Sequence, residues 1–335
     1  MPELSLGIGL TNKCNLNCPH CYSRGEKEHF IKFSDIIKLE KNLNIQSINL
    51  GTGESFLHPQ YEQIIKFIHS KGIKLSLTTN GYTVEKMSDE QLRYFNDIDF
   101  SLDFPDEREH NTFRNGNVAF SVLKGIERCK KLGVECSIAT ALMNINYNVI
   151  DKICALAQSF EINLRINIYK SVHTDKFKLT YDQFWEGIVR LFQSSKLISC
   201  SEPIINAILK NKVIDGGSPC GKRSLRIRPN GCVSSCVYLH NTQTTIDDLI
   251  QASSQQKDEL FDFEHLHVIP EKCRECKYVE YCQGGCIARR IYCGDIMRED
   301  EYCFVNKGKI PKIDVQWADK KDLVHSDYLC TIIVQ

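Results

Sequence analysis

The chain has 335 residues, 42% of them hydrophobic and 25% charged, the composition of an ordinary globular protein with room for one large domain and an appendage. Disordered, collagenous and coiled-coil architectures are set aside. Its 42 Lys and Arg balance 42 Asp and Glu, so bulk charge gives no reason to expect nucleic acid or a membrane surface as a partner. No apolar run approaches the ~18 residues of a spanning helix, and the start, Met-Pro-Glu-Leu-Ser, lacks the basic and apolar regions of a secretory signal; a cytoplasmic protein is expected.

In chain order, residues 5–11, 47–51, 74–80, 98–103, 134–143 and 163–169 read as strands, each ending in polar or glycine residues. Amphipathic stretches at 34–43, 61–71, 89–95, 120–132 and 147–160 read as the helices between them. Six successive β/α units imply parallel strands joined by right-handed crossovers. The expected fold is therefore α/β, a partial (β/α)6 TIM-like barrel over residues 1–180 with its reactive groups at the C-terminal strand tips. Residues 181–214 read as a helical bridge, with Trp185, Ile188, Leu191 and Phe192 on one face. At Gly216-Gly217-Ser218-Pro219 the character changes to short turns and dense cysteine. This marks a small metal-dependent second domain over 215–310, and 311–335 is left as a tail without assigned structure.

Seventeen cysteines, in a chain with a core of its own and a reducing compartment, read as metal ligands where they cluster. Cys14-Asn-Leu-Asn-Cys18-Pro-His-Cys21 puts three thiols on one loop directly after the first strand. Three cysteines without a fourth leave one iron of a cubane 4Fe-4S cluster open to a substrate or cofactor. Zinc would want four N/S donors for a closed structural site, and only His20, inside the loop, is at hand to help.

At these residues the chain resembles the radical S-adenosylmethionine (SAM) superfamily, whose CxxxCxxC signature matches Cys14, Cys18 and Cys21 in spacing and position. Gly51-Thr52-Gly53-Glu54 after the second strand is similar to the family's GGE motif, with Thr52 a departure from it. Thr78-Thr79-Asn80-Gly81 and Ser101-Leu102-Asp103 follow the third and fourth strands, and Arg114 comes thirteen residues after Ser101. The resemblance implies that Cys14, Cys18 and Cys21 hold a 4Fe-4S cluster and that Gly53 and Glu54 receive the SAM ammonium group. It further implies that Thr79 and Ser101 flank the SAM ribose and carboxylate, with Arg114 against the carboxylate. Tyr22 is either a SAM contact or plain packing. The implied chemistry is reductive cleavage of SAM to a 5'-deoxyadenosyl radical that abstracts a hydrogen from the substrate, with the protein supplying placement and exclusion of water.

A second set of cysteines runs Cys220, ten residues, Gly231, four residues, Cys236; then Cys273-x2-Cys276-x5-Cys282-x3-Cys286; then Cys303. This spacing resembles the SPASM domain, a C-terminal extension of radical SAM enzymes with two auxiliary 4Fe-4S clusters, which makes three clusters in all. By that resemblance Cys220, Cys236 and Cys286 hold the first auxiliary cluster, and Cys273, Cys276, Cys282 and Cys303 the second. Residues 226–236 read as a hairpin with its turn at Asn230-Gly231, which would return Cys236 toward Cys220. A pair of zinc-ribbon sites is the competing reading. The fourth position of the first auxiliary cluster falls to Cys232, to Cys200 or to an open iron. Cys129, Cys136, Cys154, Cys293 and Cys330 show no ligand spacing and read as buried small hydrophobes; for Cys330, on a terminus expected to be mobile, reach into the active site is the alternative reading.

The SPASM resemblance points to modification of a ribosomally made peptide or small protein, by crosslinking, thioether formation, oxidation, epimerisation or excision. It also implies a flavodoxin- or ferredoxin-type electron donor. Only 13 residues precede Cys14, so a separate leader-peptide-binding protein, or a substrate without a leader, is expected. Val237 stands where sulfatase-maturing relatives carry an Asp, which argues against that dehydrogenation. General-base candidates are Asp103, Glu54 and His173, and Asp103 equally reads as a strand-end cap. Residues 106–110 read as a solvated loop face. The alternatives are a small-molecule radical SAM oxidoreductase or decarboxylase and, from another class, a non-catalytic iron-sulfur or zinc protein.

Overall fold

The computed structural model describes residues 3–213, 216–240, 242–254, 266–319, 323–324 and 330–335. Among these the strands are β1 (Leu4–Ile8), β2 (Ile45–Leu50), β3 (Lys74–Thr79), β4 (Asp97–Ser101), β5 (Cys136–Leu142), β6 (Asn163–Ile168), β7 (Leu197–Cys200), β8 (Ser224–Ile227), β9 (Val233–Ser234) and β10 (Thr331–Val334). The chain forms two compact units, Met1–Ala139 with Arg223–Phe261 and Thr140–Lys222 with Asp262–Gln335.

In the first unit β1 to β4 and the start of β5 lie parallel in sequence order. Ile8 stands beside Leu50, Leu50 beside Leu77, and Leu77 beside Ile98. Each of these residues is buried, as a parallel sheet covered on both faces requires. The helix Tyr61–Ser70 turns Tyr61, Ile64, Ile65 and Ile68 inward, the spacing of one helical face. The expected hairpin is present, with β8 antiparallel to β9 and Gly231 at a φ of 82°. Its first strand also pairs in parallel with the free edge of β1. Residues expected to open the cysteine-rich domain therefore extend the first sheet, because the wholly buried Ser224–Ile227 closes an edge that would otherwise expose unpaired backbone.

The second unit contains the order β5-β6-β10-β7. The tail left without structure supplies β10, antiparallel to both β6 and β7 and buried along its length. The expected helical bridge is interrupted: its first helix is Tyr181–Ser194, where Thr180 and Gln183 form a capping box and Trp185, Ile188, Leu191 and Phe192 are buried. Beyond it Leu197–Cys200 is a strand and Pro203–Leu209 a second helix. The Arg289 guanidinium is buried between Glu202 and Asp300, one cation bridging two buried carboxylates inside the unit. No helix among the described residues is long and apolar enough to cross a membrane.

Candidate functional site

The loop after β1 carries Cys14, Cys18 and Cys21. The Cys14 sulfur accepts the Leu16 backbone N–H at 3.4 Å and the Asn80 side-chain amide at 3.7 Å. The Cys18 thiol, buried, lies 3.6 Å from the Arg114 carbonyl, and Cys21 lies 3.3 Å from the Ser23 hydroxyl. Burial pushes the Cys18 thiol up to about 11 against the pull of the Arg114 guanidinium. A thiol so held becomes a thiolate ligand when a metal takes the place of its proton.

The turn after β2 packs onto that loop. Gly53 has a φ of 62°, and a Cβ there would stand 2.5 Å from the carbonyl oxygens of Lys13 and Thr11, so only glycine fits. Thr52 has a φ of 84°, left-handed backbone that a β-branched residue avoids. Its hydroxyl meets the Tyr22 hydroxyl at 2.7 Å. Tyr22 thus has a packing and hydrogen-bonding role inside the first unit, against Tyr238 and His240 as well.

Glu54 is 1% exposed. One carboxylate oxygen accepts the Thr79 hydroxyl, the Thr83 hydroxyl at 2.5 Å and the Thr83 N–H at 3.1 Å, and the other accepts the Asn80 N–H at 3.1 Å. Three of the four donors converge on one oxygen and one reaches the other. Glu54 is therefore the hub that ties the β2 turn to residues 79–83. The Thr79 hydroxyl is engaged on both sides, since it also accepts the Gly81 N–H at 3.0 Å. Asn80, noted in the sequence only as part of its segment, joins this hub to the cysteine loop through Cys14 and, at 2.9 Å, Asn15. Ser101 ends β4 half-buried.

Beyond β4, Asp103 is wholly buried and one of its oxygens accepts Arg114 Nε at 2.8 Å and Nη2 at 2.7 Å. Arg114 thus spends part of its guanidinium on an internal carboxylate, and Asp103 is an anchor more than an open base. Residues 106–110, expected to be a solvated loop, begin the helix Glu107–Arg114, with Asp106 capping the Glu109 N–H at 2.9 Å. One turn later His110 is fully buried and its Nδ1 accepts the Asp103 N–H at 3.2 Å. His20 stacks on Phe113 with ring centroids 4.7 Å apart. Burial, with Arg114 close by, brings both His20 and His110 down to about 4, so both rings are neutral at ordinary pH. Among the described residues, His20 Nδ1 and His110 Nε2 are buried without a hydrogen-bond partner. The remaining base candidate, His173, belongs to the second unit.

In the second unit Cys273, Cys276, Cys282 and Cys303 line one small cavity. The thiols of Cys273 and Cys282 are raised to about 11 and about 12, first by burial and then by their neighbouring cysteines. Among the described residues no three His, Cys, Asp or Glu side chains are arranged around a single ion. Cys220 and Cys286 are buried in the second unit, while Cys232 and Cys236 belong to the first.

The model of the Radical SAM superfamily matches residues 8–157, the stretch that carries the cysteine loop, the Glu54 hub and the Asp103–Arg114 pair. Residues 8–157 form a radical SAM domain. Among curated proteins, a probable GTP 3',8-cyclase of Pyrococcus abyssi is 33% identical over 137 residues, 39% of this chain and 45% of that protein. The GTP 3',8-cyclase of Haemophilus ducreyi is 29% identical over 186 residues, 51% of this chain and 55% of that one. The matches span about half the length of these relatives. Among solved structures, Streptococcus suis SuiB bound to S-adenosylmethionine superposes with a TM-score of 0.69 at 17% identity, over 90% of this chain and 77% of that one. The structure of anSMEcpe with bound AdoMet gives a TM-score of 0.73 at 19% identity, over 92% of each chain. These two likenesses are of fold.

Proposed function

We propose that the protein is a radical SAM enzyme with auxiliary iron-sulfur clusters that modifies a ribosomally made peptide. The observation that carries the first half is the convergence of the Cys14–Cys18–Cys21 loop with Glu54 and Asn80 at the strand tips. A pure electron carrier has no use for a buried carboxylate hub beside its cysteines. When bound, the cluster and SAM together supply reductive C–S cleavage and hydrogen-atom abstraction. The chain's own part is placement. Cys14, Cys18 and Cys21 hold the cluster and leave one iron open; Gly53 lets the turn close on the loop; Glu54, Thr79 and Asn80 fix its distance; Ser101 at the end of β4 and Arg114, anchored on Asp103, are proposed to flank SAM.

For the auxiliary clusters, the cavity walled by Cys273, Cys276, Cys282 and Cys303 supports the assignment of these four to one of them. Cys220, Cys236 and Cys286 are proposed for the other. The peptide substrate is supported by likeness of fold over most of the chain to SuiB, solved with the precursor peptide SuiA, and to anSMEcpe, solved with a Cp18Cys peptide. A leader-binding protein and a flavodoxin or ferredoxin are its proposed partners, and the cytoplasm its proposed compartment. A small-molecule substrate is the second reading, favoured by the sequence likeness to GTP 3',8-cyclases.

The test is iron and sulfide content of anaerobically purified protein, with 5'-deoxyadenosine assayed after addition of SAM and reductant. About 12 irons per chain are expected, falling by about 4 in a Cys14→Ala/Cys18→Ala/Cys21→Ala variant with loss of 5'-deoxyadenosine. Retained SAM cleavage in that variant, or zinc in place of iron, overturns the assignment. Mass change in a short peptide encoded beside the gene, against turnover of GTP, separates the two substrate classes.

A further inference from the structure

Cys330 shows no ligand spacing in the sequence and stands in a tail read as mobile, yet the structure builds it into the second unit. It directly precedes β10, and Thr331 is pinned on both sides of its peptide: the Thr331 N–H meets the Ser201 hydroxyl at 3.1 Å, and the Ser201 N–H donates to the Thr331 carbonyl at 2.9 Å. The strand fixes where the Cys330 side chain begins. From there its thiol, 6% exposed, engages the side chains of both Cys220 and Cys286 and lies 3.3 Å from the Ser218 hydroxyl.

Cys220 and Cys286 are the two second-unit cysteines that the motif gives to the first auxiliary cluster. We propose that Cys330 is a third second-unit ligand of that cluster, so that the C-terminal strand supplies the thiolate for which Cys200 and Cys232 were the sequence candidates. The inference rests on the auxiliary-cluster reading above.

Three further observations favour a ligand over a packing thiol. None of the three cysteines is in a disulfide, so their approach is not a covalent staple. Lys170, 4% exposed, acts electrostatically on Cys286, a buried cation beside the cysteine pair, whereas Arg289 is already held by Glu202 and Asp300. Cys200 instead turns its thiol to the Glu202 carbonyl at 3.8 Å, within its own turn.

The experiment uses the full chain carrying Cys14→Ala/Cys18→Ala/Cys21→Ala, so that only auxiliary iron is counted. Iron, sulfide and the electron paramagnetic resonance spectrum of the reduced protein are compared for this parent and for added Cys330→Ser, Cys330→Val and, as a buried control, Cys129→Ala. The parent and the control should hold about 8 irons. Cys330→Val and Cys330→Ser each remove one thiolate and leave three, so each should either fall toward about 4 irons or keep its iron with a changed spectrum, Cys330→Ser being close to isosteric and able to fold around a weaker oxygen ligand. Eight irons and an unchanged spectrum in both Cys330 variants overturn the proposal and leave the auxiliary clusters standing. Iron retained by Cys330→Val with an unchanged spectrum makes Cys330 a packing residue and overturns it too. A parent without auxiliary iron overturns the proposal together with the reading it rests on.

Discussion

Thr52 offers a direct test of whether the turn between β2 and Glu54 stores backbone strain. Replacing it by alanine or by glycine removes the same hydroxyl and the same 2.7 Å bond to Tyr22, a loss of about 0.5–1.5 kcal/mol in either case. The two variants differ in what their backbone tolerates at a φ of 84°. Alanine keeps a left-handed penalty of about 1–2 kcal/mol; glycine relieves it but adds about 0.5–1 kcal/mol of unfolded-state entropy. The balance makes Thr52→Gly more stable than Thr52→Ala by about 0.5–1 kcal/mol, the reverse of the order at an ordinary position. In anaerobic calorimetry of the cluster-loaded protein at one scan rate, that difference is a Tm higher by about 1 °C. A glycine variant that melts at or below the alanine variant refutes the strain. A coupling energy of about 0.5–1.5 kcal/mol in a cycle of Thr52→Ala with Tyr22→Phe would isolate the hydroxyl pair from the backbone effect.

Three further outcomes are expected. Arg289→Met leaves Glu202 and Asp300 buried without their cation and should cost about 3–5 kcal/mol, read as a lowered Tm and a fall in soluble yield; unchanged stability would mean that the two carboxylates do not depend on Arg289. His58 accepts the Gln60 N–H at Nδ1 and meets the Ile31 carbonyl with Nε2 at 2.8 Å, the neutral tautomer, and burial holds its pKa below the ordinary value. Its folded value being depressed, its contribution is full above about pH 6.5 and lost as pH falls through the lowered value, so His58→Gln should flatten the acid side of the Tm-against-pH curve relative to wild type; parallel curves would contradict this. Gly53→Ala should lower iron by about 4 and abolish 5'-deoxyadenosine, because its methyl group meets two carbonyl oxygens; full iron and turnover would show that the turn can move aside.

The sequence reading reached the four segments of the site because each is marked locally: cysteines at fixed spacing, a glycine where no side chain fits, a polar tip after each apolar strand. What it missed depends on partners far away in the chain. β10 is only Thr331–Val334, too short for a periodic signal, and its neighbours lie about 130 residues and more upstream. Cys330 has no meaning as a ligand until that strand is placed. His110 sits in a run of charged residues whose average says solvent, yet the cap at Asp106 starts a helix that turns this one ring inward. β8 was legible as half of a hairpin, and its second partner, β1, was not, since parallel pairing leaves no turn to read.

The same distinction separates two ways of reading Glu54 and Arg114. As motif residues they look like charges held out for a ligand, one for an ammonium group and one for a carboxylate. In the structure Glu54 is met by four donors from residues 79–83, and Arg114 is met by Asp103. A buried carboxylate without those donors would carry a large desolvation cost, so the charge that remains at this position in the chain is spent on joining loops. Removing it would loosen the cysteine loop, through Asn80, before it removed any contact to a ligand. Loss of activity on substitution of Glu54 therefore does not by itself report ligand contact, whereas a loss of iron accompanying it reports the hub.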